Sequence, residues 1–442
     1  MGKQLMAGIG KLMITSPFDC EMSGFIARKG RSRGMHDPLW ARALVLSYDN
    51  TKLALVTVDL IGVDRYIMRE TRKIIANMLD LSPSSIIVCA SHTHSGPATL
   101  REAYLGEVDP GYLSGLAANI AGAVYTASCA MEPVEILVGE GKCSYVGKNR
   151  RRKGGPTDPQ VIVLRVQRID EPQIPKALLV NYACHPVVLG PNNLLITADY
   201  PYYMIRALEQ VYIGAQVMMV NGACGDVNAG HTTLDSIKEK GGSNRTFEEA
   251  KRLGQLLAGE ALRASEQAIL VEPLDINYNL QEICLPLEPL PEPSDLYEQA
   301  NAWDHLGHEL KAKGVPYGEY RQAEVWADWA RTKAQQIKDG QVQPSITTEI
   351  AAFSIGDLDF VSFPGEFFHD FALMIKKDRS PRKVFVLGYC NDNIGYVAPE
   401  YAYNEGGYEV EDSFRYYGHP SRLKRGSGER VVDALSAILQ GF

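Results

Sequence analysis

Apolar positions in the first half of the chain come in short unbroken runs, separated by stretches where they recur every three or four residues. The unbroken runs are "LWARALVLSY", "KLALVTVDLIGV", "IIVCAS" (Ile86–Ser91), "VIVLRVQRI", "ALLVNYACHPV" and "AQVMMVNGACG". Their length and β-branched content predict buried strands. Between them Arg65–Met78, "GYLSGLAANIAGAVYTASCAM", "YPYYMIRALEQVY" and "TFEEAKRLGQLLAGEALRASEQA" carry helical spacing. This alternation, from Lys11 to about Arg263, predicts an α/β fold: a layered mixed β-sheet core flanked by helices. Such sheets place their sites at the ends of strands.

The pattern then changes. The Pro-rich "LPLEPLPEPSD" marks a boundary or long connection, and the charged segment Leu296–Lys338 beyond it is helical in character. It is expected to form an insertion at about 293–342, a helical hairpin packed on the domain in preference to a lid over a substrate groove, with Trp303, Trp326 and Trp329 packing it. "TTEIAAFSIGDLDFVSFPGEFF" predicts a hairpin turning at Gly356-Asp357. "KVFVLGYCNDNIGYVAP" predicts a further strand leaving through a Gly/Asn-rich loop, and "GSGERVVDALSAIL" a closing helix. With no internal repeat, residues 1–442 are expected to form a single domain.

Composition narrows the function classes. At 442 residues and 45% hydrophobic, the chain can bury a large core. Its net charge is −8, and the densest basic run, "KNRRRK", is a short loop segment, so no nucleic-acid-binding face is expected. No apolar stretch approaches the ~20 residues of a transmembrane segment, and the start lacks the apolar region of a signal peptide. Eight dispersed cysteines without a CxxC pair suit reduced core thiols, so a cytoplasmic location is expected.

The chemistry collects at strand exits: His92 and His94 after "IIVCAS", His185 after "NYAC", Asp226 and Asn228 in "GDVN", Glu366 in "SFPGEFF", and a Tyr-rich stretch beyond Tyr396. In extended backbone, residues i and i+2 share a side, so His92 and His94 face one way. They could bind a metal together, one could bind it while the other moves protons, or both could be solvated loop residues. Catalytic zinc takes three or four N/O ligands and keeps one position for water. Two histidines and a glutamate from separate strand ends would supply that. A lone strand-end His is more often a satisfied core or loop residue, so the residues alone leave a metal site open.

Larger blocks carry a resemblance. "GIGKLMITSP", "GMHDPLWARALVL", "VTVDLIGV", "HTHSGP" from His92 to Pro97, "NRRRKGGPTDPQVIVLRV", His185-Pro186, the "GDV" turn and the "PGE" turn follow one another along the chain. In that order they resemble the neutral/alkaline (non-lysosomal) ceramidase family, over most of the length. The resemblance implies a zinc ion (Zn2+) held by His92, His185, Glu366 and Tyr396. It implies His94 as a catalytic neighbour, and Arg150 or Arg151 together with Tyr408 as groups holding the substrate carbonyl. Asp199 and Asp226 could orient ligands from behind, or act as a helix cap and a turn residue.

One position departs from the family: a Ser follows "GDV" in ceramidases, whereas Asn228 stands here. Asn can hydrogen-bond but cannot act as a nucleophile, which favours zinc-activated water and leaves Asn228 expected among the catalytic residues as a hydrogen-bonding group. The chain also ends without the C-terminal immunoglobulin-like domain of secreted ceramidases, so poor access to membrane-embedded ceramide is expected. The resulting expectation is a zinc-dependent hydrolase cleaving the amide of an N-acylated or lipid-like small molecule. Alternatives are the same site acting on a sugar or other polar conjugate, a non-catalytic binding protein, or a cysteine hydrolase using Cys184 or Cys224.

Overall fold

The computed structural model describes residues 4–17, 19–232, 235, 244–272 and 275–442. Nine strands form one mixed sheet. Its hydrogen-bonded order runs Gln216–Asn221, Pro175–Tyr182, Gln160–Arg168, Glu132–Lys142, Met6–Met13, Trp40–Tyr48, Thr51–Val58 and Ile86–Ala90, with Ile269–Leu270 added to Glu132–Lys142. The middle is antiparallel and both margins are parallel. A second sheet of four strands orders Ile276–Pro286, Ser345–Ile355, Leu358–Ser362 and Lys383–Leu387.

The two sheets face each other across an apolar core. Leu44, Leu164, Leu179 and Met218 of the large sheet meet Phe353, Phe360 and Phe385 of the small one. These three rings stack across neighbouring strands at 4.2 and 4.5 Å, because the register puts them side by side. Helices Arg65–Met78, Pro110–Cys129, Tyr200–Val211 and Phe247–Glu266 cover the outer face of the large sheet. Helices His369–Asp378 and Ser427–Gln440 cover that of the small one. The layered mixed-sheet expectation is met, with two sheets instead of one. At Gly8 the helix Pro110–Cys129 lies so close that a Cβ would fall 1.8 Å from the Ala127 carbonyl oxygen.

The predicted hairpin turn at Gly356-Asp357 is where the strands Ser345–Ile355 and Leu358–Ser362 join. The charged segment forms two helices, Pro293–Ala312 and Tyr317–Lys338, packed on each other. Trp329 is buried there with Leu296, Ala300 and Ala334, and the Arg415 guanidinium lies over Trp303, Trp326 and Trp329. Among the described residues no helix is long and apolar enough to cross a membrane.

Candidate metal centre

Three loops leave the sheets toward one point. After Ile86–Ala90 the backbone turns sharply, and His92 takes a left-handed φ of 68°. Its N–H donates to the Leu60 carbonyl at 2.8 Å, and its ring stacks on Tyr389 with centroids 4.1 Å apart. His185 follows Pro175–Tyr182, its N–H donating to the Val227 carbonyl. The Asn221 amide ties the two exits together, donating to the Ser91 carbonyl at 3.1 Å and accepting from the Cys184 N–H. Glu366 pairs in parallel with Tyr396, and Gly225 approaches so closely that a Cβ would sit 2.3 Å from the Glu366 carbonyl oxygen.

His185 Nε2 lies 2.8 Å from Glu366 Oε2, His92 Nε2 lies 3.3 Å from the same oxygen, and His94 Nε2 lies 3.2 Å from His92 Nε2. His92, His185 and Glu366 are buried. The proton positions follow from the other ring nitrogens. His92 Nδ1 faces the Ile61 carbonyl at 2.6 Å and His185 Nδ1 the Cys224 carbonyl at 2.7 Å, so each Nδ1 carries its proton. The Nε2 lone pairs then point at a carboxylate that also only accepts. Lone pairs brought this close in a dry place form a set that could hold a metal ion. Carbonyls behind ligand imidazoles are the usual way of fixing that tautomer.

The buried groups also shift one another's titration. Burial pushes the Glu366 carboxyl up, but His92 and His185 outweigh it and hold the group well below the usual carboxylate range. Burial, then His92 and His185, pulls His94 well below the ordinary imidazole value. Burial also lowers His185, against the opposing pull of Glu366. Ligating atoms of His92, His94 and His185 lie within 4.8 Å of one another, so His94 is positioned as a third imidazole at the same point.

Around this cluster the remaining expected residues separate. The Tyr396 ring lies parallel to His185 at 6.4 Å, and the Arg150 guanidinium sits over it at 5.2 Å and hydrogen-bonds it. Burial pushes the Tyr396 phenol up, with Arg150 pulling the other way. Arg150 Nε donates to Glu409 at 2.9 Å, while its Nη2 is buried without a partner among the described residues. Arg151 turns outward, donating to Glu409 at 2.6 Å and to the Gly406 carbonyl at 2.8 Å. Tyr408 meets Tyr396 edge-on at 5.5 Å. Asn228 closes a turn with both side-chain atoms: its Nδ2 donates to the His231 carbonyl at 2.7 Å, and its Oδ1 accepts from Gly230 and His231.

The supporting aspartates stand elsewhere than behind the histidines. Asp199 caps Tyr200–Val211 and accepts from Val188, Leu189 and Tyr200. Asp226 accepts from the His369 backbone N–H and faces its Nδ1 at 2.7 Å, besides accepting from Asn149. Two tyrosines at the cluster carried no motif in the sequence: Tyr389 under His92, and Tyr417, whose hydroxyl donates to Glu366 Oε1. Burial pushes the Cys184 and Cys224 thiols up, so neither is an activated nucleophile.

Comparison with known proteins meets this geometry. Residues 5–234 match the family model described as neutral/alkaline non-lysosomal ceramidase, N-terminal. Among solved structures, the neutral ceramidase from Pseudomonas aeruginosa is similar with a TM-score of 0.72 at 17% identity, over 100% of this chain and 75% of that one. A ceramidase complexed with C2 is similar with a TM-score of 0.73 at 18% identity, over 100% of this chain and 76% of that one. The likeness in structure shows a shared fold, and the family model spans more than half of the sequence. The chain therefore belongs to the neutral/alkaline non-lysosomal ceramidase family of hydrolases.

Proposed function

We propose that this protein is a zinc-dependent amidohydrolase acting on an N-acylated, lipid-like small molecule. The observation that carries the reading is His185 Nε2 facing Glu366 Oε2 at 2.8 Å with the imidazole proton held on the other nitrogen. His92, His185 and Glu366 would hold the zinc, with Tyr396 as the fourth ligand. Zinc bound there supplies Lewis acidity and lowers the pKa of water.

The protein's own groups do the rest. The unpartnered Nη2 of Arg150 and the Tyr408 hydroxyl would receive the carbonyl oxygen as charge develops on it. Glu409 holds Arg150 in that pose and is itself steadied by Arg151, which makes Arg151 a positioning residue. His94, its Nδ1 without a partner, would take a proton from the attacking water and pass it to the leaving nitrogen. An imidazole with a depressed pKa is a strong acid once protonated, which suits that second transfer. Asn228 is spent on its turn and takes no part in this scheme.

Residues 1–442 are read as a single catalytic domain, with the helix pair Pro293–Lys338 as an insertion. All eight cysteines are free thiols, which supports a reducing, cytoplasmic setting. The test is elemental analysis of protein purified without chelator or affinity tag, beside a His92→Ala/Glu366→Ala double variant. About one zinc per chain, with hydrolysis of N-acyl amides, both lost in the variant, is the expected result. Protein without metal, or with metal and turnover untouched by the substitutions, would sink the reading.

A further inference from the structure

Arg245 is 7% exposed, and among the described residues its Nε and Nη1 have no hydrogen-bond partner. Its guanidinium lies over the Phe25 ring at 5.6 Å, and Phe25 meets His94 edge-on with centroids 4.9 Å apart. His231, whose backbone closes the Asn228 turn beside His185, is close enough to feel the charge of Arg245. Arg245 thus stands on the rim of the metal centre, between the His94 loop and the Asn228 loop. It packs tightly on the loop at Gly190, where a Cβ would be 2.8 Å from Arg245 Cδ and 3.0 Å from Nη1.

The neighbouring carboxylates Asp235 and Asp199 act on Arg245 through space without an ion pair among the described residues, and their oxygens are hydrogen-bonded to other groups. Asp235 accepts from the Thr232 N–H and hydroxyl at 2.9 and 2.8 Å. Asp199 accepts from the backbone of Val188, Leu189 and Tyr200. Among the described residues no acid forms an ion pair with Arg245. The nearby Arg28 makes a useful contrast, since it donates to three backbone carbonyls, those of Ser23, His94 and Asn193. A buried guanidinium with empty donors costs stability unless something anionic meets it. His231 adds a second group: burial and then Arg245 hold its pKa down to about 4, which keeps the ring uncharged at neutral pH.

From this geometry we infer that Arg245 is an anion-recognition residue, and that the substrate carries a carboxylate or phosphate on its amine portion. The inference rests on the amidohydrolase reading. There the carbonyl oxygen lies toward Arg150 and Tyr408 and the leaving nitrogen toward His94. Whatever follows the nitrogen then runs past Phe25 to Arg245. Ceramide bears no such anion, so the preferred substrate of this chain differs from it in charge.

The test uses N-lauroyl ω-amino acids of increasing length, the amides of the matching amino alcohols, and the phosphate esters of those alcohols. Turnover is measured on wild type, Arg245→Gln and Arg245→Lys, and binding by calorimetry on Glu366→Gln with and without Arg245→Gln. Wild type is expected to prefer one anionic series over the alcohols, through KM, by on the order of 10- to 100-fold. Arg245→Gln should bring that ratio close to one, and Arg245→Lys should restore part of it, with unchanged melting temperatures reporting intact folds. Which anionic series wins distinguishes carboxylate from phosphate. Turnover without a preference for the anion overturns the inference and leaves the amidohydrolase standing. Anion binding that is lost with Arg245, but without turnover of any amide, does the reverse. Neither binding nor turnover overturns both.

Discussion

Two groups of histidine and carboxylate lie among the loops of this region, and they differ in where their protons are. In the first, His92 and His185 give their protons to the Ile61 and Cys224 carbonyls, and bare Nε2 atoms face Glu366. In the second, Asp226, His369 and Asp370 also bring ligating atoms within 4.8 Å of one another. There His369 Nδ1 faces Asp226 Oδ2 at 2.7 Å, so a proton fits between them and the pair neutralises itself. Burial lowers the His369 pKa, but Asp226 outweighs it and the net shift is upward. Proximity of ligand types is thus common to both groups, while unmatched lone pairs belong to the first. The proposed zinc site rests on the second property, not on the first.

Arg150 belongs to the unmatched region, and the largest change is expected there. Arg150→Gln should lower kcat by about 10²- to 10³-fold, the usual loss for one oxyanion donor, with KM little altered. An effect confined to KM would show that the empty Nη2 meets the ground state instead. Asp226→Asn tests the matched group. Removing one partner of a buried pair should cost about 3 kcal/mol of stability, read from urea midpoints, with the zinc content kept. Because the His369 pKa is raised on folding, this contribution is complete below the ordinary imidazole value. It fades as pH rises through the raised one. Wild type should therefore lose stability over that interval, and Asp226→Asn should not. Loss of metal in this variant would make the second group a ligand set and erase the distinction. The smallest effect is expected at Asn228, where both side-chain atoms are already matched. Asn228→Ser should cost about 1 kcal/mol in thermal stability, whereas a tenfold change in turnover would put the position back into the chemistry.

Strands buried on both faces announced themselves in the sequence. Trp40–Tyr48, Ile86–Ala90 and Pro175–Tyr182 are nearly continuous apolar runs because helices cover one face and the second sheet the other. Glu132–Lys142 and Ile276–Pro286 escaped notice, since each is exposed along one side and reads as "EPVEILVGEGK" and "INYNLQEICLP". The helix His369–Asp378 and the short helices within 400–416 were hidden behind a turn and a Tyr/Gly-rich stretch. At the site, His92, His185 and Glu366 were legible as strand exits and as matched motifs. Tyr417 was not, because its hydroxyl reaches Glu366 from 51 residues away with no local pattern to mark it. The split between Arg150 and Arg151 depends on Glu409, a partner 259 residues from Arg150, and no spacing within "NRRRK" could decide it.

His92, Tyr389 and Asn391 all hold left-handed φ angles, of 68°, 56° and 60°, without being glycine. Each such residue costs roughly 1–2 kcal/mol that glycine would not. His92 is a proposed ligand, Tyr389 stacks on it, and Asn391 pairs with Val88 on the strand that leads to it. Glycine would relax the backbone at each place, yet at Tyr389 it would empty the space of a fully buried ring, a loss of about 3–5 kcal/mol that outweighs the relief. The packed side chains therefore offset the strain they sit on. A duplicated copy of this gene, freed from the need to turn over substrate, would still be held to a bulky residue at Tyr389 by its fold.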